Sequence, residues 1–348
     1  MKKAAFYTLG CKVNQYETEA MAELFADSGY EIKEFTEVAD VYVINTCSVT
    51  NMGDRKSRQI IRRAKKLNPN AVIAVTGCYA QTAPDEVLAI EGVNLVLGTK
   101  DRKNIVTLVE ELNTESNINH VSDIMSNHEF EELQIKQYSN RTRAFIKIQE
   151  GCNQFCSYCI IPYARGPVRS RAKDDVVREI KELAHNGFKE IILVGIHVAS
   201  YGVDLGDTTL ESLIMDVDKI DGVERIRLSS IEPMTLNQEF IDSIKDSKKL
   251  CHHFHISLQS GCDETLKRMN RKYTTAQFKG IVDGLREAFD DVAITTDIMV
   301  GFPDESDEEF NKTVEFVRNI KFADAHVFQY SQRRGPPAAK RPNQISPD

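Results

Sequence analysis

The segment GCNQFCSYC holds three closely spaced cysteines, Cys152, Cys156 and Cys159. Cysteine thiolates are soft ligands that suit iron–sulfur clusters. Three thiolates bind three irons of a 4Fe–4S cluster and leave the fourth iron without a protein ligand. An open coordination position is typical of a catalytic metal site, whereas structural sites are closed. The spacing therefore indicates a 4Fe–4S cluster that takes part in chemistry.

The open iron can take the amino and carboxylate groups of S-adenosylmethionine (SAM). Electron transfer to the sulfonium would then break a C–S bond and release a deoxyadenosyl radical. In such a reaction the cofactor carries the hard chemistry, and the protein supplies binding and excludes side reactions. The alternatives are a zinc site or three buried thiols. Zinc sites use four ligands, often in paired spacings, and no fourth cysteine or histidine lies near this loop in sequence.

A second set of cysteines, Cys11, Cys47 and Cys78, is spread along the first part of the chain. Each lies just beyond the end of a predicted strand, at the edge where open α/β sheets bind ligands. Single free cysteines are commonly core residues. Three at equivalent strand ends, two of them directly preceded by Gly10 and Gly77, instead favour convergence on a second cluster bound by three thiolates.

The elements that position these cysteines alternate between strand and helix patterns. Residues 1–112 predict a parallel α/β domain, residues 113–143 are polar and predict a linker, and residues 144–348 predict a partial (β/α)6 barrel. A full barrel would need eight units. The predicted strands are Ala4–Leu9, Val41–Asn45, Ala71–Thr76 and Asn94–Leu97, then Ala144–Gln149, Glu190–Gly195, Arg225–Ser229, Phe254–Leu258, Ala293–Val300 and Ala325–Tyr330. The main predicted helices are Gln15–Ser28, Arg55–Leu67, Asp174–Asn186, Leu236–Ser247, Thr275–Phe289 and Asp307–Asn319.

Length and charge narrow the class of protein. With 348 residues and eight cysteines, the chain is too long and too poor in cysteine for a small disulfide scaffold. Its net charge of −8 argues against non-specific nucleic-acid binding over the whole surface but allows a local basic patch. No apolar run is long enough to span a bilayer. The start MKKAAFYTLGC partly matches a lipoprotein signal, but its apolar stretch is short and carries Tyr7 and Thr8. We expect a cytoplasmic protein with no membrane partner.

Residues that follow the barrel strands are candidates for holding SAM, because active sites of β/α barrels lie beyond the carboxyl ends of the strands. Glycine lets the backbone approach a ligand closely, and Glu232 suits the ribose hydroxyls. Each of these residues taken alone can equally be structural, and no side chain is assigned a catalytic role of its own. The candidates are Gly195, Ser229, Glu232, Gln259, Asp297 and, after the cysteine loop, Arg165.

The run RKSRQIIRRAKK holds seven basic residues and no acid. Lys and Arg contacts to phosphate dominate nucleic-acid affinity, which favours RNA binding. The same run can equally be the solvated face of a helix. The candidate RNA contacts are Arg55, Lys56, Arg58, Arg62 and Arg63; Arg165, Arg169 and Arg171 are candidates for RNA phosphate or the SAM carboxylate.

Five segments resemble the radical SAM methylthiotransferases: TLGCKVNQYETE, INTCSVT, TGCYAQ, GCNQFCSYCIIPYARG and HISLQSGCDE. KVNQYETE and IIPYARG are most similar to the branch that acts on threonylcarbamoyladenosine in tRNA. The resemblance covers nearly the whole chain. It implies an N-terminal methylthiotransferase domain followed by a radical SAM barrel.

The resemblance also implies a reaction and its partners. Cys152, Cys156 and Cys159 would bind the radical-generating cluster, and the second cysteine set would bind an auxiliary cluster that handles sulfur. One SAM would give a methyl group and another the radical, which would take hydrogen from carbon 2 of the adenine next to the anticodon. A methylthio group would replace that hydrogen. The implied partners are tRNA and an electron donor such as flavodoxin or ferredoxin.

The chain departs from this family in two places. Members usually carry a β-rich RNA-binding domain called TRAM after the barrel, and we expect it to be absent from a chain that stops at Asp348. The segment FQYSQRRGPPAA also differs from the expected FPYSKREGTPAA. These departures bear on tRNA affinity more than on cluster chemistry.

Four alternatives remain open. Within the same chemistry, the substrate would be isopentenyladenosine in tRNA or an aspartate of a ribosomal protein. Outside it, the chain would be a non-catalytic iron–sulfur module that binds RNA, or a structural zinc protein. Nucleoside products separate the first two, formation of deoxyadenosine excludes the third, and metal content excludes the fourth.

Overall fold

The structure is a computed structural model that describes residues 1–112, 115–135 and 142–346. The chain divides into two compact units. The first comprises Met1–Ser139, Glu150–Asn153 and Ile160–Arg169, and the second Asn140–Gln149, Gln154–Cys159 and Ser170–Asp348. Among the described residues, no helix combines the length and apolarity needed to cross a membrane.

The first unit is built on one parallel sheet. Its strands are β1 (Lys3–Thr8), β2 (Glu31–Lys33), β3 (Val41–Thr46), β4 (Val72–Gly77), β5 (Leu95–Leu97) and β6 (Ile118–His120). They lie in the order β2-β1-β3-β4-β5-β6. Its helices are α1 (Lys12–Asp27), α2 (Asn51–Leu67), α3 (Cys78–Thr82), α4 (Pro84–Leu88), α5 (Ile105–Glu110) and α6 (Ile161–Arg165).

Buried apolar clusters cover both faces of this sheet, as expected where helices cross over between parallel strands. Every residue of the central strand β3 is buried. The register sets Thr8 opposite Asn45, and Asn45 opposite Thr76. The strands β1, β3 and β4 therefore end level with one another.

The second unit carries the strands of the barrel. They are β7 (Arg143–Glu150), β8 (Arg169–Ser170), β9 (Glu190–Gly195), β10 (Arg225–Leu228), β11 (His253–His255), β12 (Ala293–Val300) and β13 (Asp324–Gln329); β7 and β8 each have one end in the first unit. The helices are α7 (Lys173–His185), α8 (Leu210–Asp218), α9 (Gln238–Ile244), α10 (Asp263–Arg268), α11 (Thr275–Ala288) and α12 (Asp307–Ile320).

Two sheets, β10-β9-β7-β8 and β11-β12-β13, make up the barrel wall. Parallel bridges from Ile226 to Leu250 and from Ile231 to Ile256 join β10 to the segment around β11. The six major strands thus follow one another in parallel, which confirms the predicted partial (β/α)6 barrel. Phe254, Phe278 and Phe289 form part of the aromatic packing between this wall and its helices.

Local differences from the predicted elements have simple causes. The strands β2 and β6 were not predicted, because each has three residues and neither shows a buried apolar face. The strand β6 lies within the predicted linker 113–143, of which residues 113–114 and 136–141 are outside the described ranges. The helix predicted from Leu236 begins at Gln238, because the side chain of Asn237 accepts a hydrogen bond from Phe240 N and caps the helix there.

Candidate cluster sites and SAM site

The cysteines of the first unit lie at one edge of its sheet. Cys11 is the N-cap of α1 just after β1, Cys47 follows β3, and Cys78 opens α3 directly after β4. A Cβ atom on Gly10 would lie 2.9 Å from Cys47 Cβ and 3.1 Å from Cys47 Sγ, so the turn after β1 packs directly against Cys47. The backbone of Gly10 has φ +101°, which favours glycine. The three predicted residues thus lie on neighbouring strands at a common edge.

In the part of the chain that the structure describes, no three His, Cys, Asp or Glu side chains are grouped as ligands of one metal ion. A 4Fe–4S cluster requires a different geometry from a single metal ion. Each thiolate binds its own iron, so the three thiols need not converge on one point. Three thiols on adjacent strand ends, beside a glycine turn, fit such a group. Burial raises the pKa of Cys47, and it raises the pKa of Cys78 to about 12, so cluster binding would release their protons.

Asn14 ties the ends of these strands together. Its Nδ2 donates to Leu9 O at 2.7 Å and to Thr46 O at 3.0 Å. Its Oδ1 lies 3.8 Å from Cys11 Sγ, within reach of a weak S–H donor. Asn14 thereby fixes the backbone just before Cys11 and Cys47. It belongs to KVNQYETE, the segment that carried the resemblance, although sequence reasoning gave this residue no role.

Arg165 occupies a setting different from the one predicted for it. Its guanidinium is fully buried, and Nε lies 3.3 Å from Cys78 Sγ. Nη1 donates to Glu17 Oε1 at 2.6 Å and Glu150 Oε1 at 2.9 Å, and Nη2 donates to Asn14 Oδ1. The donors of Arg165 are directed to Cys78, Asn14 and two buried carboxylates, whereas its contact with SAM stays a prediction.

Arg169 and Arg171, expected at RNA phosphate or at SAM, are also buried. The guanidinium of Arg169 donates to three backbone carbonyls, Asn127 O, Pro167 O and Arg165 O. Arg171 is paired with Glu179. Both side chains therefore hold the fold together and are not displayed to a nucleic acid.

The loop that carries the other cysteines crosses the boundary between the two units. Cys152, in the first unit, donates its backbone N–H to Gly166 O at 3.0 Å. Just before it, a Cβ on Gly151 would lie 1.8 Å from Pro167 O, so only glycine fits there.

In the second unit, Cys159 N donates to Cys156 O at 3.0 Å. Between these cysteines, Ser157 N donates to Met269 O, and Ser157 Oγ donates to Arg268 O. Tyr158 packs against the small apolar cluster that contains Met269. The loop is therefore fixed to the segment that follows α10.

Arg271 is a site residue that the sequence did not reveal. Its Nη1 lies 3.3 Å from Cys156 Sγ, and its Nη2 donates to Glu232 Oε2 at 2.8 Å. Tyr273 lies beneath the guanidinium, 5.0 Å from its carbon to the ring centroid. Nothing in RMNRKY distinguishes Arg271 from the neighbouring Arg268, so only the folded chain reveals its contact with Cys156.

Four of the SAM candidates lie at or beyond the carboxyl ends of three consecutive barrel strands: Gly195 ends β9, Ser229 and Glu232 follow β10, and Gln259 follows β11. A Cβ on Gly195 would lie 2.9 Å from Gln149 Oε1, so the backbone there is closely packed. Ser229 Oγ and Gln259 Oε1 are buried and have no hydrogen-bond partner in the described structure. Glu232 pairs with Arg271. Two buried oxygens with unmet hydrogen-bonding capacity suit a polar ligand, because leaving them unpaired costs free energy.

Asp297 fits the SAM role less well. It lies inside β12, three residues before the end of that strand. Its Oδ2 lies 3.0 Å from His255 Nε2, and His255 Nδ1 is bonded to Thr295 Oγ1. The carboxylate of Asp297 therefore already has a partner.

The basic residues of α2 form a helix face. Arg55, Lys56, Arg62 and Arg63 are exposed, whereas Ser57, Ile61 and Ala64 are buried against the sheet. Arg58 is half-buried and bonds Tyr79 and Glu86, so its charge is partly neutralised. Four of the five predicted RNA contacts are thus accessible, on a helix that starts four residues after Cys47.

Comparison with known proteins gives two family matches. Residues 3–98 match the family described as "Uncharacterized protein family UPF0004", and residues 146–317 match the radical SAM superfamily. The first match contains Cys11, Cys47 and Cys78, and the second contains Cys152, Cys156 and Cys159.

The chain is similar to several curated relatives. It is 49% identical to the threonylcarbamoyladenosine tRNA methylthiotransferase MtaB of Bacillus subtilis, over 99% of this chain and 77% of that protein. The MtaB of Aquifex aeolicus is 42% identical over 97% and 82% of the two chains. The tRNA-2-methylthio-N(6)-dimethylallyladenosine synthase of Thermoanaerobacter pseudethanolicus is 39% identical over 97% and 73%.

A solved structure shares the fold. The radical SAM methyltransferase TsrM of Kitasatospora setae matches with a TM-score of 0.69 at 15% identity, over 97% of this chain and 77% of that protein. At this identity the likeness concerns the fold alone.

Proposed function

Since the chain belongs to the radical SAM methylthiotransferase family, we propose that it places a methylthio group on carbon 2 of threonylcarbamoyladenosine, next to the anticodon of tRNA. The observation that carries this proposal is the 49% identity to a relative named for that substrate, maintained over nearly the whole chain. The cofactors are SAM and two 4Fe–4S clusters.

Cys11, Cys47 and Cys78 are proposed to bind the auxiliary cluster. Their support is the common sheet edge, the Gly10 turn packed on Cys47, and Asn14 fastening the two strand ends. In this arrangement Cys11 is exposed, Cys47 is partly exposed and Cys78 is buried, so a small sulfur species would approach from the side of Cys11.

Cys152, Cys156 and Cys159 are proposed to bind the radical-generating cluster. Support comes from the spacing of the three cysteines, which leaves one iron open for SAM. Ser229, Glu232 and Gln259 are proposed to hold SAM, together with the backbone at Gly195. These residues share the carboxyl end of the barrel strands, where such folds bind their ligands.

When bound, the clusters and SAM supply the radical that removes hydrogen from carbon 2 and the methylthio group that replaces it. The chain's own residues bind and orient. Arg271 holds Glu232 in place, and Tyr158 of the cysteine loop packs against the apolar cluster that contains Met269 and Phe302. Exclusion of water from this region would protect a radical from quenching.

The exposed basic face of α2 is proposed to contact the tRNA backbone. Its residues Arg55, Lys56, Arg62 and Arg63 provide positive charge within an acidic protein, beside the proposed auxiliary cluster. The electron donor is proposed to be a flavodoxin or ferredoxin, and the setting to be the cytoplasm, where tRNA is modified.

Nucleoside analysis tests the substrate directly. The reconstituted protein, SAM, a reductant and a sulfur source are incubated with two tRNAs, one carrying threonylcarbamoyladenosine and one carrying isopentenyladenosine. We expect the 2-methylthio product from the first only, measured by mass spectrometry of digested tRNA. Product from the second tRNA alone would reassign the substrate to the dimethylallyl branch, for which the 39% identity provides weaker support.

A further inference from the structure

We propose that each iron–sulfur cluster is held and tuned by one buried arginine, Arg165 for the auxiliary cluster and Arg271 for the radical-generating cluster. Each guanidinium donates a hydrogen bond to a single cluster thiolate, Cys78 in the first case and Cys156 in the second. The inference rests on the cluster ligands proposed above but does not depend on which tRNA is modified.

Arg165 is held in an orientation in which its Nε faces Cys78 Sγ. Its two Nη atoms are used by Glu17, Glu150 and Asn14, which leaves Nε facing Cys78 at 3.3 Å. The side chain is fully buried, as are Glu17 and nearly all of Glu150. A guanidinium braced by two carboxylates cannot rotate away, so its N–H points permanently at the thiol.

Arg271 is fixed in a similar way. Glu232 and the carbonyl of Ser257 accept from Nη2, and the hydroxyl of Tyr273 accepts from Nε. Nη1 is then directed to Cys156 Sγ at 3.3 Å. The side chain is 7% exposed. In both arginines, one guanidinium nitrogen contacts a cysteine sulfur while the other nitrogens bond oxygen acceptors.

The physical consequence concerns charge. Thiolates and a bound cluster bring net negative charge into a buried site, and reduction adds one more electron. Hydrogen bonds to the sulfurs and nearby positive charge stabilise the reduced state and raise the reduction potential. Lysine keeps the charge but lacks the planar fork that contacts carboxylate and sulfur together. Substitution by lysine should therefore lower the potential of that cluster alone.

The auxiliary cluster is tested by comparing R165K with R102K. Arg102 is the matched control, since it is equally buried in the same ion network and pairs with Glu17, Glu131, Glu150 and Thr99 O but with no cysteine among its described partners. Both variants are made in a chain whose Cys152, Cys156 and Cys159 are alanine. An EPR-monitored redox titration should show R165K harder to reduce by about tenfold in the equilibrium constant, which is about 59 mV for one electron. R102K should leave the potential near that of the parent chain.

The radical-generating cluster is tested with R271K and its control R268K, in a chain whose Cys11, Cys47 and Cys78 are alanine. Arg268 lies three residues earlier and pairs with Glu309. R271K should lower the potential by a similar factor, and R268K should not. Iron per chain and the circular dichroism spectrum are recorded for every variant.

Should R165K lose its fold, the double variant E150Q/R165Q takes its place, because it removes one buried positive and one buried negative charge together. Equal shifts in a variant and its control, or an unchanged potential in both R165K and R271K, would overturn the proposal. The titration uses no tRNA, so its failure is distinguishable from failure of the proposed substrate.

Discussion

At the scale of single residues, the proposed auxiliary site depends on close contacts around the cysteines more than on the cysteines alone. Gly10 and Asn14 bring the turn after β1 against Cys47, and Arg165 covers Cys78. Substitutions at these neighbouring residues should therefore alter cluster binding although every cysteine ligand is kept.

The substitution Gly10→Ala should abolish the auxiliary cluster. Alanine at φ +101° is strained by about 1–2 kcal/mol, and its Cβ would displace Cys47. Gly29→Ala is the matched control, since Gly29 has φ +84° but a Cβ there meets nothing within 4 Å. After anaerobic reconstitution, iron per chain should fall to about half in the first variant and stay unchanged in the second. Equal iron in both would contradict the proposed position of the cluster.

Ser229→Ala should weaken SAM binding without a loss of stability. The hydroxyl of Ser229 is buried and lacks a protein partner, so its removal leaves no donor unpaired. If SAM uses it, the loss is about 1 kcal/mol, or about fivefold in the KM for SAM during deoxyadenosine formation. Ser243→Ala on α9, whose hydroxyl donates to Phe240 O, is the control. An unchanged KM together with unchanged thermal unfolding would remove Ser229 from the SAM site.

Local patterns could be predicted from the sequence at the residue scale, whereas long-range contacts could not. The positions of the cysteines after strands follow from the sequence. The contacts of Arg165 with Glu17 and of Arg271 with Cys156 join residues more than a hundred positions apart, which no spacing rule anticipates. Arg165 was chosen for its charge but assigned to SAM, because its burial beside Cys78 cannot be read from IIPYARG.

At the scale of elements, α2 connects the auxiliary site to the proposed RNA surface. Thr50 caps its first turn by accepting from Gly53 N, and Lys65 and Lys66 lie in its last turn, where positive charge is favourable. Its buried positions recur at helical spacing, so the helix and its exposed basic face were predictable. The short strands β2 and β6 were not, since pairing with a neighbouring strand, and not their own pattern, creates them.

Neutralising the α2 face should weaken tRNA binding. The triple variant R55Q/K56Q/R62Q removes three exposed charges, and K181Q/K245Q/K279Q removes three exposed charges from α7, α11 and the end of α9. The dissociation constant for tRNA should rise for the first variant. The slope of log affinity against log salt should become shallower, by an amount that corresponds to the loss of up to about three phosphate contacts. The second variant should behave as wild type. Equal effects would show that α2 is only a solvated helix face.

At the scale of the whole molecule, the order of elements was the most predictable property. Alternating strand and helix patterns specify parallel sheets, and six such units specify an open barrel wall, as the structure confirms. The domain limits stay a prediction, because the chain passes between the two compact units several times around the cysteine loop. Amino-acid composition gives no sign of these crossings.

The central claim is that one chain binds two 4Fe–4S clusters and uses both for methylthiolation. Iron and acid-labile sulfide per chain after anaerobic reconstitution test it most directly. The wild type should contain about eight irons, and the triple variant of Cys11, Cys47 and Cys78 to alanine about four. About four irons in both proteins would contradict the auxiliary cluster and reduce the account to a simpler radical enzyme.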